Sequence, residues 1–150
     1  MSTPEDIAKT KIWCADVYCD TSTFATPDNQ FDGAFARVAF KEGDLVEKGI
    51  MRRLPEGFDG MKCQECFTWS DEIPNKTWAM GSGCSPYYNT HKTSVSNTRM
   101  VRYFDENRFE IFANRDIAAG EELLHTYKSL QWRECFKPLA DILGADEEKK

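Results

Sequence analysis

The stretch TRMVRYFDENRFEIFAN, residues 98–114, sets two runs of alternating apolar and polar residues on either side of the short link Asp105-Glu106-Asn107. A period of two puts every second side chain on one face of an extended chain, and so short a link turns the chain back antiparallel beside itself. A β-hairpin is expected here, and the chain repeats the theme in shorter pieces. KIWCADVY (11–18) alternates weakly, AFARVAF (34–40) is rich in β-formers and runs into the turn KEGD, and LVEKGIM (45–51) resumes extended character. Residues 55–76 carry Pro55, Gly57, Gly60 and Pro74 and read as loops around one short strand at CFTW (66–69). ELLHTY (122–127) is expected as the last strand. SLQWRECFKPLADILG (129–144) has helical spacing, broken before Pro138 and ended by Gly144. The expected class is mostly β, small sheets with one or two short C-terminal helices.

At 150 residues, 41% hydrophobic and 13% aromatic, the chain can bury one core without disulfides or metal. The organisation expected is a flexible N-terminus over 1–10, one domain over 11–144 including the C-terminal helical segment, and a charged tail over 145–150. A run of ~18 apolar residues, enough to span a bilayer, does not occur, and the first residues lack the basic-then-apolar order of a signal peptide. The chain is expected to work inside the cell, in nucleus or cytoplasm. Nineteen Lys and Arg against 25 Asp and Glu give a net charge of -6, which disfavours nucleic acid or an anionic membrane and suits a basic protein or peptide. The six cysteines read as reduced thiols in this setting. Cys63-Gln-Glu-Cys66 has the spacing of half a zinc site, but Cys14 and Cys19 do not form a second such pair, so no metal is expected.

Three stretches carry chemistry. In FDGAFA (31–36) a turn at Asp32-Gly33 enters a strand, and the missing side chain of Gly33 lets a ligand or another chain approach the backbone closely. GSGCSPYYNTHKTSVSN (81–97) joins a glycine pair to Tyr87, Tyr88, Asn89, Thr90, His91 and Asn97. It reads as too polar for a core strand and able to offer an amide to a purine-like ligand and phenols to a cation. In GEELLHTY (120–127) the chain turns at Gly120 and a short strand ends on Tyr127, with Glu121 and Glu122 read as part of the turn. Taken singly, the first reads better as a plain turn and the third as a half-buried structural tyrosine, while the second reads as well as a surface loop.

In this order and at these separations, the three resemble the SET-domain protein lysine methyltransferases, over roughly residues 12–132. The most specific block is ANRDIAAGEELLHTY (113–127), similar to the family's strand followed by I-x-x-G-E-E-L and a catalytic tyrosine. DGAFARVAFKEGDLVE (32–47) is similar to its opening G-x-G-x-F-A turn, strand, K-x-G-D turn and strand, and YNTHKTSVSN (88–97) stands where it has Asn-His-Ser…Pro-Asn. The chain departs from the pattern at Phe31, where the first glycine is expected, at Thr90, where histidine is, and at Ser96, where proline is. A Cys-x-Cys zinc cluster after the tyrosine is also lacking, as in the small viral and bacterial members.

The resemblance implies a fold of small curved sheets with a C-terminal pseudoknot, and methyl transfer from S-adenosylmethionine to a lysine of a protein, a histone being one candidate. Tyr127 would be catalytic, with Tyr88 and Tyr87 as channel partners. Asp32, Gly33, Ala34, Asn89, Thr90, His91 and Trp132 would hold the cofactor. The second reading is a catalytically inactive SET-like module that keeps only a peptide groove.

Overall fold

The computed structural model describes residues 4–63, 66–72, 75, 77–91 and 94–126. Among the described residues a short helix α1 (Pro4–Ala8) precedes nine strands: β1 (Val17–Thr21), β2 (Asp32–Ala36), β3 (Leu45–Arg53), β4 (Phe67–Thr68), β5 (Trp78–Gly81), β6 (Asn89–Thr90), β7 (Thr98–Tyr103), β8 (Arg108–Ala113) and β9 (Glu122–His125). They form a four-stranded sheet of order β1-β2-β9-β6 and a five-stranded sheet of order β4-β5-β3-β8-β7. The domain is thus mostly β. The C-terminal segment expected to be helical, and the tail, lie outside the described residues. Among the described residues no helix is long and apolar enough to cross a membrane.

The expected hairpin is β7–β8, paired in register from Thr98↔Ala113 to Tyr103↔Arg108. Its period of two is visible in burial: Phe109, Ile111 and Ala113 face the core while their neighbours do not. The link is a single 3-10 turn over Phe104–Glu106, closed by Asn107 in the left-handed region (φ 50, ψ 47). Asparagine tolerates that conformation better than other residues with a Cβ. Its Oδ1 also accepts from Trp69 Nε1 (3.2 Å) and Arg53 Nε (2.8 Å), tying the turn to the core.

The core gathers Val46, Met51, Trp69, Ala79, Phe109 and Ile111 from the larger sheet with Val17, Ala34, Ala36 and Leu123 from the smaller. Each large side chain there contributes about 1.5–3 kcal/mol by leaving water. Strict alternation in β3 would turn Glu47 to the face opposite Val46, yet both are buried, at 0% and 1% exposure. The ladder with β8 skips Val46, passing from Leu45↔Phe112 to Glu47↔Ile111, and this bulge points the carboxylate inward.

Several expected boundaries move. The segment 11–18 is extended only at its end: β1 starts at Val17, and Trp13 makes one isolated bridge with Lys48. Within the first ten residues α1 forms one short turn of helix that buries no residue. The stretch 81–97, read as too polar for a strand, supplies the end of β5 and all of β6. Of its polar side chains Ser85, Thr90 and Asn97 are buried, which is stable only where a buried polar group finds a partner, and composition cannot show that.

Candidate active site

Strand β9 lies between the two stretches singled out for the cofactor. On one side Ala34 and Phe35 pair with Leu123 and Glu122; on the other Asn89 and Thr90 run parallel to Leu124 and His125. Asn89 closes the pair, its Nδ2 donating to Asp32 O (3.0 Å) and to Glu122 Oε2 (3.1 Å). Gly33 makes the approach possible, because a Cβ there would strike the Glu122 carboxylate and crowd the Asn89 amide. Asp32, Gly33, Ala34, Asn89 and Thr90 are thus brought together.

Glu122 is not part of the turn. It is 6% exposed and accepts from Ser22 Oγ (2.9 Å), the Thr23 N–H (2.9 Å) and Thr23 Oγ1, pinning the loop between β1 and β2 against Asn89. Only Glu121 belongs to the turn, bonded to Arg115 (2.7 Å) and the Ala118 N–H (3.1 Å). Burial raises its carboxyl, but these bonds and Asn97 outweigh burial and hold it below the usual range. Pinning the loop also carries Phe24 over the cofactor stretch, its ring 5.1 Å from that of His91 and 44% exposed.

The approach to Tyr127 is fixed from the other flank. Asn97, 1% exposed, serves β9 as a strand partner would: its backbone N–H donates to Leu124 O (3.0 Å), its Oδ1 accepts from the Leu124 N–H (2.8 Å) and its Nδ2 donates to Glu122 O (2.9 Å). Thr126 Oγ1 donates to His91 O (3.1 Å) and lies 3.0 Å from Ser96 Oγ, which also reaches His91 O. The residue before Tyr127 is therefore anchored to the stretch 91–97. Tyr127 and Trp132 themselves lie outside the described residues, as does the threading of the C-terminal segment.

The two adjacent tyrosines part company. Tyr87 is 44% exposed, whereas Tyr88 is 1% exposed and donates its phenol to Glu47 Oε1 (2.8 Å), so it stands as a buried brace and not as an open channel wall. The Cys84 N–H binds the other oxygen of Glu47 (2.9 Å). Burial pushes the Glu47 carboxyl up to about 7, against the bonds from Tyr88, Cys84 and Ser85. Burial and the nearby Glu47 charge raise the Tyr88 phenol well above its ordinary value. The Tyr88 ring stacks on His125 (centroids 5.7 Å apart, planes at 18°). Burial, reinforced by Arg102, brings His125 down to about 3, so it is neutral in ordinary buffers.

Glu47, Phe24 and His125 escape the sequence reading, which assigns Glu122 to the turn. A glutamate inside a strand and a phenylalanine in a loop carry no local signal; only their partners reveal them. Cys63 and Cys66 lie close, with Cys66 Sγ donating to Cys63 O (3.4 Å), and among the described residues no group of three or more His, Cys, Asp or Glu could hold a metal ion.

Similarity to known proteins agrees with this geometry. The SET domain family model matches residues 32–128, well over half of the chain. No curated protein sequence matches. Among solved structures, the chain is similar to a Plasmodium falciparum protein whose description proposes a histone methyltransferase (16% identity, TM-score 0.57, 78% of this chain and 96% of that one). It is also similar to a humanized mutant of the Chaetomium thermophilum Polycomb Repressive Complex 2 bound to an inhibitor (24% identity, TM-score 0.55, 75% of this chain, 15% of that one). From the bordering of β9 by the Gly33 and Asn89 stretches to the extent of the matched model, the observations converge: this chain belongs to the SET-domain family, whose members are generally protein-lysine methyltransferases.

Proposed function

We propose that the protein transfers a methyl group from S-adenosylmethionine to a lysine side chain of a basic protein or peptide, a histone being one such substrate. The carrying observation is the joining of distant stretches around β9: Asp32–Gly33 and Asn89–His91 flank it, and Thr126, at its end and next to Tyr127 in sequence, is bonded to His91. The residues present suit the cofactor. The exposed Phe24 ring, set against His91 beside the Asp32–Asn89 clasp, suits the flat face of an adenosine. The cofactor supplies an electrophilic methyl group on a sulfonium.

The chain's part is alignment and dryness. The amine lone pair forms the new bond to the methyl carbon while the carbon–sulfur bond breaks toward sulfur, so positive charge passes from sulfur to nitrogen and no strong acid or base is needed. A tyrosine phenol, uncharged at neutral pH, orients the amine without competing for the methyl group, and Tyr127 is assigned that role. Exclusion of water lowers the amine's affinity for its proton and leaves a lone pair available. The net charge of -6 favours encounter with a basic partner.

Incubation with radiolabelled S-adenosylmethionine and a histone panel should label one band, and Tyr127→Phe should lower labelling by at least about tenfold. Equal labelling by the variant would remove Tyr127 from the chemistry. One observation favours the inactive-module reading: both hydrogens of the Asn89 amide find acceptors inside the protein. Calorimetry with S-adenosylhomocysteine separates the two, since a module without cofactor affinity would give no heat.

A further inference from the structure

Tyr88 and Asn89 are consecutive, and each is held by a buried glutamate: the phenol by Glu47 (2.8 Å) and the amide by Glu122 (3.1 Å). Glu47 is fully buried, and among the described residues it forms no salt bridge. Its surroundings fit it closely. Gly83, at φ +63, lies so near that a Cβ would strike its carboxylate and crowd the Cys14 sulfur. The groups around it are the thiols of Cys14, Cys19 and Cys84, the Tyr88 phenol and, behind Tyr88, His125 with Arg102 acting on it. Burial raises the thiols of Cys84 and Cys19, so these two stay neutral, and His125 is neutral too.

We propose that Glu47 is a positioning residue for the cofactor stretch, its ionised carboxylate holding Tyr88 so that the adjoining Asn89 stays clasped to Asp32. The groups bonded to the carboxylate, the Tyr88 O–H and the backbone N–H groups of Cys84 and Ser85, all donate. A protonated Glu47 adds a further hydrogen, and on Oε1, the oxygen that accepts from Tyr88, that hydrogen faces the phenol oxygen, so the Tyr88 bond reverses and the phenol hydrogen seeks another acceptor. The reversal loosens Tyr88, and Asn89 follows because the two share a peptide bond. With the burial-raised carboxyl near 7, the change falls within the working range of pH.

The inference rests on the methyl-transfer reading only for its consequence, and two measurements keep them apart. In 15N-resolved NMR without ligand, the Asn89 side-chain amide should shift with pH with a midpoint near the Glu47 value of about 7. The shift should vanish in Glu47→Gln, which keeps size and an acceptor oxygen, and in Tyr88→Phe, which keeps the ring on His125. Well-dispersed spectra show that the variants fold, and if one does not, the other carries the test. In calorimetry, S-adenosylhomocysteine should bind wild type about threefold or more tighter at pH 8 than at pH 6, and Glu47→Gln equally at both. An Asn89 amide that does not titrate, or that titrates alike in both variants, overturns the proposal. So does an unchanged pH dependence of binding in Glu47→Gln. An Asn89 titration abolished by Glu47→Gln, with no ligand bound at any pH, leaves the positioning of Asn89 by Glu47 standing and removes the methyl-transfer reading instead.

Discussion

Gly33 shows how a single residue decides whether the site can form. Its α-carbon lies where the Asn89 amide and the Glu122 carboxylate converge, and Glu122 is held by Ser22 and Thr23 and cannot swing aside. Gly33→Ala should therefore destabilise by about 1–3 kcal/mol, as overpacking of a filled interior does, and weaken cofactor binding along with it. Urea denaturation alongside calorimetry with S-adenosylhomocysteine checks both, and a variant as stable as wild type would show that the clasp is loose. That Gly33 has such a use was legible, since a glycine entering a strand points to close approach. What approaches it was not, because Asn89 and Glu122 are 56 and 89 residues away in sequence.

The β7–β8 hairpin is the element that the sequence pattern described best. Alternation named its two strands, but the turn has a further function, since Asn107 both adopts the left-handed conformation and satisfies the buried Trp69 indole. Substitutions separate the two. Asn107→Gly keeps the conformation and orphans the indole N–H, at about 1–3 kcal/mol, whereas Asn107→Ala adds a backbone penalty of about 1 kcal/mol. Alanine should thus be the less stable by thermal denaturation, and equal losses would show that the backbone conformation carries no weight. The sequence reading did less well with β6 and β1. A two-residue strand has no period to detect, and the weak alternation at 11–18 spans a loop that leaves the sheet before Val17.

For the whole molecule, two buried groups pull the pH dependence of stability in opposite directions. Glu47 rises from 4.5 to about 7 on folding, so its contribution is fully present below 4.5 and is lost as pH climbs through 7. His125 falls from 6.5 to about 3, so its contribution is present above 6.5 and is lost as pH drops through 3. Between 4.5 and 6.5 the two slopes oppose each other and flatten the profile. Glu47→Gln removes one of them, and its stability relative to wild type should climb by about 3 kcal/mol from pH 4.5 to 8, following the size of the Glu47 shift. Urea titrations at several pH values measure this difference directly, and a pH-independent difference would place the Glu47 carboxyl at its ordinary value.

By itself the sequence determined the local and repetitive features: an extended chain cut into short strands, a tight hairpin, an acidic surface and the order of three blocks resembling the SET-domain enzymes. These depend on period, turn chemistry and the spacing of residues near one another, which a linear reading can see. The tertiary structure alone decided that a bulge at Val46 turns Glu47 inward, that Glu122 leaves the turn to clamp a loop a hundred residues away, and that Tyr88 braces the core while Tyr87 stays exposed. A buried polar group is stable only with a partner, and its partner is chosen by how distant strands come to lie side by side.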